Sequence, residues 1–192
     1  MAKQLGLPPL TLLDIGGGFS GGGTDDGAAG GVVMEGVAES INAAIEEFFP
    51  ASEGVREISE PGRYFAEASA TLCASVFGRR IRPQAEVGEE ADTHAYWITD
   101  GLYGSFNCLL YDHAEVTVRT LEHKVDTPQP KTTLFGPTCD GLDTILRGVP
   151  LPVLECGDWV VFDRMGAYTK SAGSKFNGFD FAAIKTYYTF SR

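Results

Sequence analysis

The chain has 192 residues, 43% of them hydrophobic, with 24 Gly, 10 Pro and a formal net charge of -11. That length allows one large domain or parts of two, and the composition is that of a globular, strand- and turn-rich chain rather than a disordered one. An acidic balance with no basic cluster argues against nucleic acid and anionic membranes as partners and fits a small cationic one.

Cys73, Cys108, Cys139 and Cys156 are widely separated and form no C-x-x-C pair. Neither a structural zinc nor a disulfide scaffold is expected, and a reducing, cytoplasmic location follows. No apolar run approaches the roughly 20 residues of a membrane span, and no signal-peptide core opens the chain, so a soluble protein is expected.

Residues 1–6 read as the last turn of a helix. Residues 10–15, L-T-L-L-D-I, form an apolar run of the kind buried on both faces of a parallel sheet, with residues 55–59 as the one nearby partner. Gly16, Gly17 and Gly18 follow that strand directly. The run G-G-G-F-S-G formally satisfies G-x-G-x-x-G, but the chain continues as G-G-T-D-D-G-A-A-G-G, which cannot open the helix a dinucleotide fingerprint needs. A glycine turn whose N–H groups bind a phosphate without a helix is the alternative. A plain flexible loop explains residues 20–31 well and the first three glycines poorly.

Residues 32–49 place Val33, Val37, Ile41, Ala44, Ile45 and Phe48 at helical spacing, ended by Pro50, and predict a helix packed on the strands. Residues 55–59 then lead into Glu60-Pro61-Gly62-Arg63, a carboxylate and a guanidinium flanking a Pro-Gly turn at a strand end. Parallel barrels carry their active groups there, and a local surface ion pair is the competing reading.

From residue 66 the texture changes to short β-type runs at 70–81, 94–99, 115–120, 132–135, 158–162 and 186–190. Residues 84–93 and 122–131 read as exposed loops. Trp97 and Trp159 sit in apolar runs and read as core; His94, His113 and His123 are scattered and read as surface or loop residues. Residues 135–143, F-G-P-T-C-D-G-L-D, set Cys139 beside Asp140 after a Gly-Pro turn and ahead of a short helical run at 142–146. The bland reading is a half-buried Cys beside a helix-capping Asp.

Five stretches change that reading: D-I-G-G-G-F at 14–19, E-P-G-R at 60–63, Y-G-S-F-N-C-L-L-Y-D-H at 103–113, the Cys139-Asp140 stretch, and M-G-A-Y-T at 165–169. In this order and at these spacings the chain resembles the eukaryotic ornithine decarboxylases, pyridoxal-phosphate enzymes of the alanine-racemase-like barrel group. The resemblance runs from about residue 10 to residue 179 and covers the second half of such an enzyme. It implies an α/β plus β fold: the last strands and helix of a (β/α)8 barrel in residues 1–66, then a mostly antiparallel β-barrel or sandwich domain in residues 67–192 carrying the Cys-Asp loop.

Pyridoxal phosphate needs donors for its phosphate, an acid-base partner for its ring nitrogen and a lysine for its aldehyde. By resemblance Gly16, Gly17, Gly18, Arg63 and Tyr168 hold the phosphate, within a cofactor set that includes Pro61 and Gly62, and Glu60 faces the ring nitrogen. None of Lys3, Lys124, Lys131, Lys170, Lys175 and Lys185 matches the family's Schiff-base lysine, so the chain alone is expected to be inactive. The resemblance also assigns Tyr111, Asp112 and Asp140 to a substrate with a cationic chain end, L-ornithine, which would be converted to putrescine. It assigns Cys139 to the protonation of Cα, a step a mostly protonated thiol can perform. It implies a homodimer whose active sites are shared, Cys139 and Asp140 acting in trans, and leaves antizyme open as a protein partner. Residues 176–179, F-N-G-F, match a family stretch near the subunit boundary and read as packing.

Two other functions compete: a non-catalytic, antizyme-inhibitor-like regulator, and a related decarboxylase acting on arginine, lysine or diaminopimelate. Keeping Cys139, Asp140, Asp112, Glu60, Arg63 and Tyr168 together argues against the first, because a binding module has no need of a cofactor and substrate set. Two carboxylates placed for a cationic chain end disfavour the second, although lysine also carries such an end.

Overall fold

The computed structural model describes residues 3–21, 34–83, 93–122, 127–180 and 184–190. The glycine run at 22–31, the start of the first predicted helix, most of the acidic stretch at 84–93 and His123 lie outside them. The chain divides into two units, Met1–Ala70 and Thr71–Arg192.

In the first unit a 3-10 turn at Lys3–Leu5 precedes β1 (Leu12–Asp14), which pairs in parallel with β2 (Arg56–Ile58), Leu12 opposite Arg56 and Asp14 opposite Ile58. Helix α1 (Met34–Phe48) follows the glycine segment, and α2 (Gly62–Ala66) follows β2. Both strand directions therefore end at the same side, where Gly16–Gly18 leave β1 and Glu60–Arg63 leave β2.

The burial expected from the apolar patterns is not found here. Leu10 is 66% exposed, Leu12 45%, and α1 has no buried residue. The physical reason is stoichiometric: two paired strands are the only sheet this unit has among the described residues, and a helix stripe or a double-sided apolar strand is covered only by further strands.

The second unit is a six-stranded sheet in the order β5-β8-β3-β4-β6-β7. Its strands are β3 (Leu72–Arg82), β4 (Thr93–Ile98), β5 (Arg119–Thr120), β6 (Lys131–Phe135), β7 (Thr144–Pro150) and β8 (Trp159–Phe162). Every pairing is antiparallel except β4 with β6. Alternation drives one face inward: Ala74 and Val76, then Tyr96 and Ile98, then Leu134, are buried while their neighbours are not. Phe106 and Phe162 meet edge to face at 4.7 Å beneath this sheet. The architecture is the α/β plus mostly antiparallel β arrangement expected.

Several local expectations are corrected. The run at 142–146 is not helical; Thr144–Pro150 is strand β7, with Leu146 opposite Leu134 and Thr144 opposite Phe135. Thr144, Ile145 and Val149 are β-branched, Ile145 is buried, and pairing with β6 outweighs a short helical spacing. The run at 115–120 keeps only Arg119–Thr120 as strand, and 186–190 forms none, leaving Tyr187, Tyr188 and Phe190 exposed. Trp159 is not core: it is 46% exposed, because its position in β8 points opposite to Val160. His94 is not a surface residue but an inward position of β4, its Nδ1 3.0 Å from the Tyr96 hydroxyl, which also accepts the Leu154 N–H at 2.9 Å.

Candidate active site

The glycine corner of the first unit is built by backbone. The Ile15 N–H donates to the Ile58 carbonyl at 3.0 Å, and the Glu60 N–H donates to the Gly16 carbonyl at 2.7 Å, so the parallel pairing continues past both strands. Asp14 folds back to accept the Gly16 N–H at 2.8 Å. Gly16 and Gly18 have φ of +68° and +82°, the left-handed region that favours glycine. Gly17 is required for a different reason: a Cβ there would lie 2.1 Å from the Glu60 carbonyl oxygen. Glu67 ties the next residues down, accepting from the Ser20 hydroxyl and the Gly21 N–H at 3.1 Å each.

Gly16 and Gly17 are thus brought against Glu60, which opens the Glu60–Arg63 turn, and Gly62 closes that turn by donating its N–H to the Glu60 carbonyl at 2.8 Å. Among the described residues no hydrogen bond takes the N–H groups of Gly17 and Gly18. A corner without side chains, with spare N–H donors and a half-buried Arg63 beside it, fits a phosphate. The exposed carboxylate of Glu60, whose backbone pairs with Gly16, fits a protonated ring nitrogen.

In the second unit the stretch at 135–143 is the loop between β6 and β7, and its centre is Asp143. That carboxylate is 1% exposed. Its Oδ1 accepts the Leu102 N–H at 2.7 Å; its Oδ2 accepts the Thr138 N–H at 3.0 Å and the Thr138 hydroxyl at 2.7 Å. Gly101 and Gly136 close over it, since a Cβ on either would fall within 2.4 Å of an Asp143 oxygen. Asp143 therefore joins the Cys-Asp loop to the turn that starts at Asp100. Asp100 shapes that turn by accepting the Gly101 and Ser105 N–H groups at 2.8 and 2.9 Å, and burial pushes its carboxyl above the ordinary range.

This turn presents Tyr103, whose hydroxyl donates to Asp140 Oδ2. Asp140 Oδ1 accepts the Leu142 N–H at 3.0 Å. The Tyr103 bond holds the Asp140 carboxyl below its usual range, and the same bond, helped by the nearby Asp143 and Tyr111, pushes the Tyr103 phenol up to about 12. Asp140 is consequently an anion at neutral pH, not a helix cap. Phe176 stacks on Tyr103 at 4.1 Å, and the Asn177 amide donates to Cys139 Sγ at 3.2 Å.

Tyr111 and Asp112 end helix α3 (Cys108–Tyr111); Tyr111 is 75% exposed and Asp112 half-buried. Tyr168 follows the buried Met165 and Ala167, is itself exposed, and has a φ of +52°. Tyr103, Asp143 and Asn177 were missed as functional candidates in the sequence. Nothing in a one-dimensional string pairs residue 103 with residue 140.

The comparisons with known proteins follow the same two-part division. Residues 1–67 match the family model described as pyridoxal-dependent decarboxylase, pyridoxal binding domain, and residues 63–166 match pyridoxal-dependent decarboxylase, C-terminal sheet domain. The chain belongs to the pyridoxal-dependent decarboxylases. Among curated relatives it is 42% identical to the chloroplastic ornithine decarboxylase of Nicotiana glauca over 99% of its own length and 42% of that protein's. It is 43% identical to ornithine decarboxylase of Cricetulus griseus over 100% and 41%. It thus spans about two fifths of the curated relatives it matches. Among solved structures, the arginine decarboxylase of Paramecium bursaria Chlorella virus superposes with a TM-score of 0.74 at 35% identity, covering 93% of this chain and 44% of the other. Lysine/ornithine decarboxylase from Vibrio vulnificus, complexed with cadaverine, gives 0.71 at 34%, with the same coverage. The cofactor of this decarboxylase family is pyridoxal phosphate, and the glycine corner is consistent with its phosphate.

Proposed function

We propose that this chain supplies the phosphate corner and the substrate-selecting loop of a pyridoxal-phosphate-dependent L-ornithine decarboxylase that releases putrescine. The observation that carries the reading is the Cys139-Asp140 pair on a loop fixed by Asp143, with Asp140 kept anionic by Tyr103. An anchored carboxylate stabilises a cationic chain end far better than a neutral one.

In this reading Gly16, Gly17, Gly18, Arg63 and Tyr168 bind the cofactor phosphate, and the Glu60 carboxylate balances a protonated ring nitrogen. The cofactor, when bound, supplies the electron sink for the pair left by departing carbon dioxide. Asp112 and Asp140 orient the distal ammonium of ornithine, and Cys139 Sγ–H delivers the proton to Cα, leaving a thiolate that solvent reprotonates. The pocket is completed in a homodimer, one protomer providing Asp112 and its partner the Cys-Asp loop. The described cysteines are all free, as in a reducing compartment such as the cytoplasm.

The test is a chimera in which residues 1–192 replace the matching span of the Nicotiana glauca ornithine decarboxylase. Asp112→Asn or Asp140→Asn lowers ornithine turnover at least about tenfold, the effect of losing one ion-pair partner, with little change in unfolding midpoint. Equal turnover in all three proteins removes the substrate assignment. The 192-residue chain by itself takes up no borohydride-stable cofactor adduct on its lysines; such an adduct would contradict the assignment of the lysine to other residues.

A further inference from the structure

The F-N-G-F stretch at 176–179 does more than pack. Its segment is tied to the turn of Tyr103 twice, by the Ser174 N–H donating to the Tyr103 carbonyl at 2.8 Å and by the Phe176 ring stacked on the Tyr103 ring. It is closed on itself by the Lys175–Asp180 ion pair at 3.1 Å and by the Gly178 N–H donating to the Lys175 carbonyl at 3.0 Å. Within it Asn177 adopts φ 55° and ψ 21°, a left-handed conformation that costs most residues free energy and that Asn tolerates best after Gly. In that conformation its amide donates to Cys139 Sγ at 3.2 Å.

Both members of the Cys-Asp pair are therefore held by a side chain from outside their loop, Asp140 by Tyr103 and Cys139 by Asn177. We infer that Asn177 is a positioning residue that aims the Cys139 thiol. The inference deepens the proposed decarboxylase reading and rests on it for its consequence in turnover. In the proton-delivery step the Sγ–H bond breaks, a C–H bond forms at Cα using the electron pair left by carbon dioxide, and sulfur keeps its own pair as thiolate. The Asn177 N–H is already on that sulfur and strengthens as charge develops there, because hydrogen bonds to ions exceed those to neutral atoms.

The experiment measures site-resolved alkylation by iodoacetamide in the 192-residue chain, by peptide mass spectrometry, at about pH 10 where free thiols are ionised. Asn177→Gly keeps the left-handed backbone and deletes the amide; Asn177→Asp keeps size and backbone and puts an acceptor where the donor was. Cys139 alkylates roughly fivefold faster in Asn177→Gly, since the attacking sulfur no longer has to leave a hydrogen bond. It does so at least as fast in Asn177→Asp, while the exposed Cys73 and Cys156 keep their rates and the buried Cys108 stays protected. A Cys139 rate equal to wild type in either variant overturns the inference. In the chimera, Asn177→Gly lowers kcat about fivefold and leaves KM within about twofold, matching the alkylation change. Altered alkylation with unaltered kcat upholds the positioning of the thiol and instead overturns Cys139 as proton donor; lowered kcat with unaltered alkylation overturns the positioning.

Discussion

Replacing Asp143 by Ala removes the acceptor of three hydrogen bonds at a site that is 1% exposed. The Leu102 N–H, the Thr138 N–H and the Thr138 hydroxyl are left facing the space its carboxylate filled. The hydroxyl can turn to another acceptor, but the two backbone donors cannot. Each buried donor left unpaired costs about 1–3 kcal/mol, so the pair costs about 2–6 kcal/mol. That is a large part of the roughly 5–15 kcal/mol that stabilises a domain, and for a domain of this size it lowers the thermal midpoint on the order of 10–20 °C. Asp143→Asn retains one acceptor and turns an NH2 toward a donor, so it loses less than Ala and more than Asp140→Asn at its half-buried position. The assay is thermal unfolding of the 192-residue chain followed by circular dichroism, with Cys139 alkylation as a local probe of the loop. An Asp143→Ala midpoint within about 2 °C of wild type, set against that expected shift, would falsify the claim that this carboxylate holds the loop together.

The glycine corner gives a second expectation: Gly17→Ala sets a Cβ 2.1 Å from the Glu60 carbonyl oxygen, a backbone atom that cannot swing aside. It destabilises the first unit by about 1–3 kcal/mol, as overpacking does, visible as a lowered urea midpoint. Gly136→Ala drives a Cβ to 2.0 Å from Asp143 Oδ1 and lowers stability by a similar amount, about 1–3 kcal/mol; unchanged unfolding would show that the loop has room. The Tyr103–Asp140 bond sets a pH window. Asp140 is depressed in the folded chain, so its contribution is present above its unfolded value and is lost as pH falls through the lower folded one. Tyr103 is raised from 10.0 to about 12, so its contribution is complete below the first and lost as pH rises through the second. Ultraviolet difference titration of wild type against Tyr103→Phe isolates that phenol, and a Tyr103 midpoint near 10.0 would dismiss the bond.

The strand content of the second unit was legible because β3, β4, β6 and β8 alternate or run apolar between turn residues, the pattern a one-sided sheet imposes. β7 was not, because its first residues also satisfy a helical spacing and its strand state depends on β6, a partner that no local window contains. In the first unit the apolar pattern led to an expectation of burial that the structure does not show, because a two-stranded sheet leaves α1 and Leu10 uncovered. The candidate site was legible where its geometry is written in backbone: three glycines after a strand announce close approach, and Gly17 meets Glu60. It was illegible where function depends on long-range side chains. Asp143 fell within the run at 142–146 expected to be helical and is the buried node, and Tyr103 and Asn177 reach the Cys-Asp loop across 37 and 38 residues of sequence.

Two kinds of support hold that loop, and they differ in what their loss does. Asp143 is buried, its partners Leu102 and Thr138 are buried with it, and deleting it leaves two backbone donors unpaired away from water; its cost is mainly one of stability. Tyr103 and Asn177 act at the accessible rim, where water replaces a lost partner, so their bonds contribute at most about 1 kcal/mol each to folding. A bond worth so little to stability still fixes a direction, because the rotor it restrains would otherwise sample its other staggered positions. Substitutions at Asn177 and Asp140 therefore leave the fold standing while releasing the Cys139 thiol or changing the carboxylate, whereas Asp143→Ala changes both together. A difference between the two groups in unfolding, with a shared effect at Cys139, is what this division of roles requires; equal destabilisation by Asn177→Gly and Asp143→Ala would place the rim contacts inside the core of the loop instead.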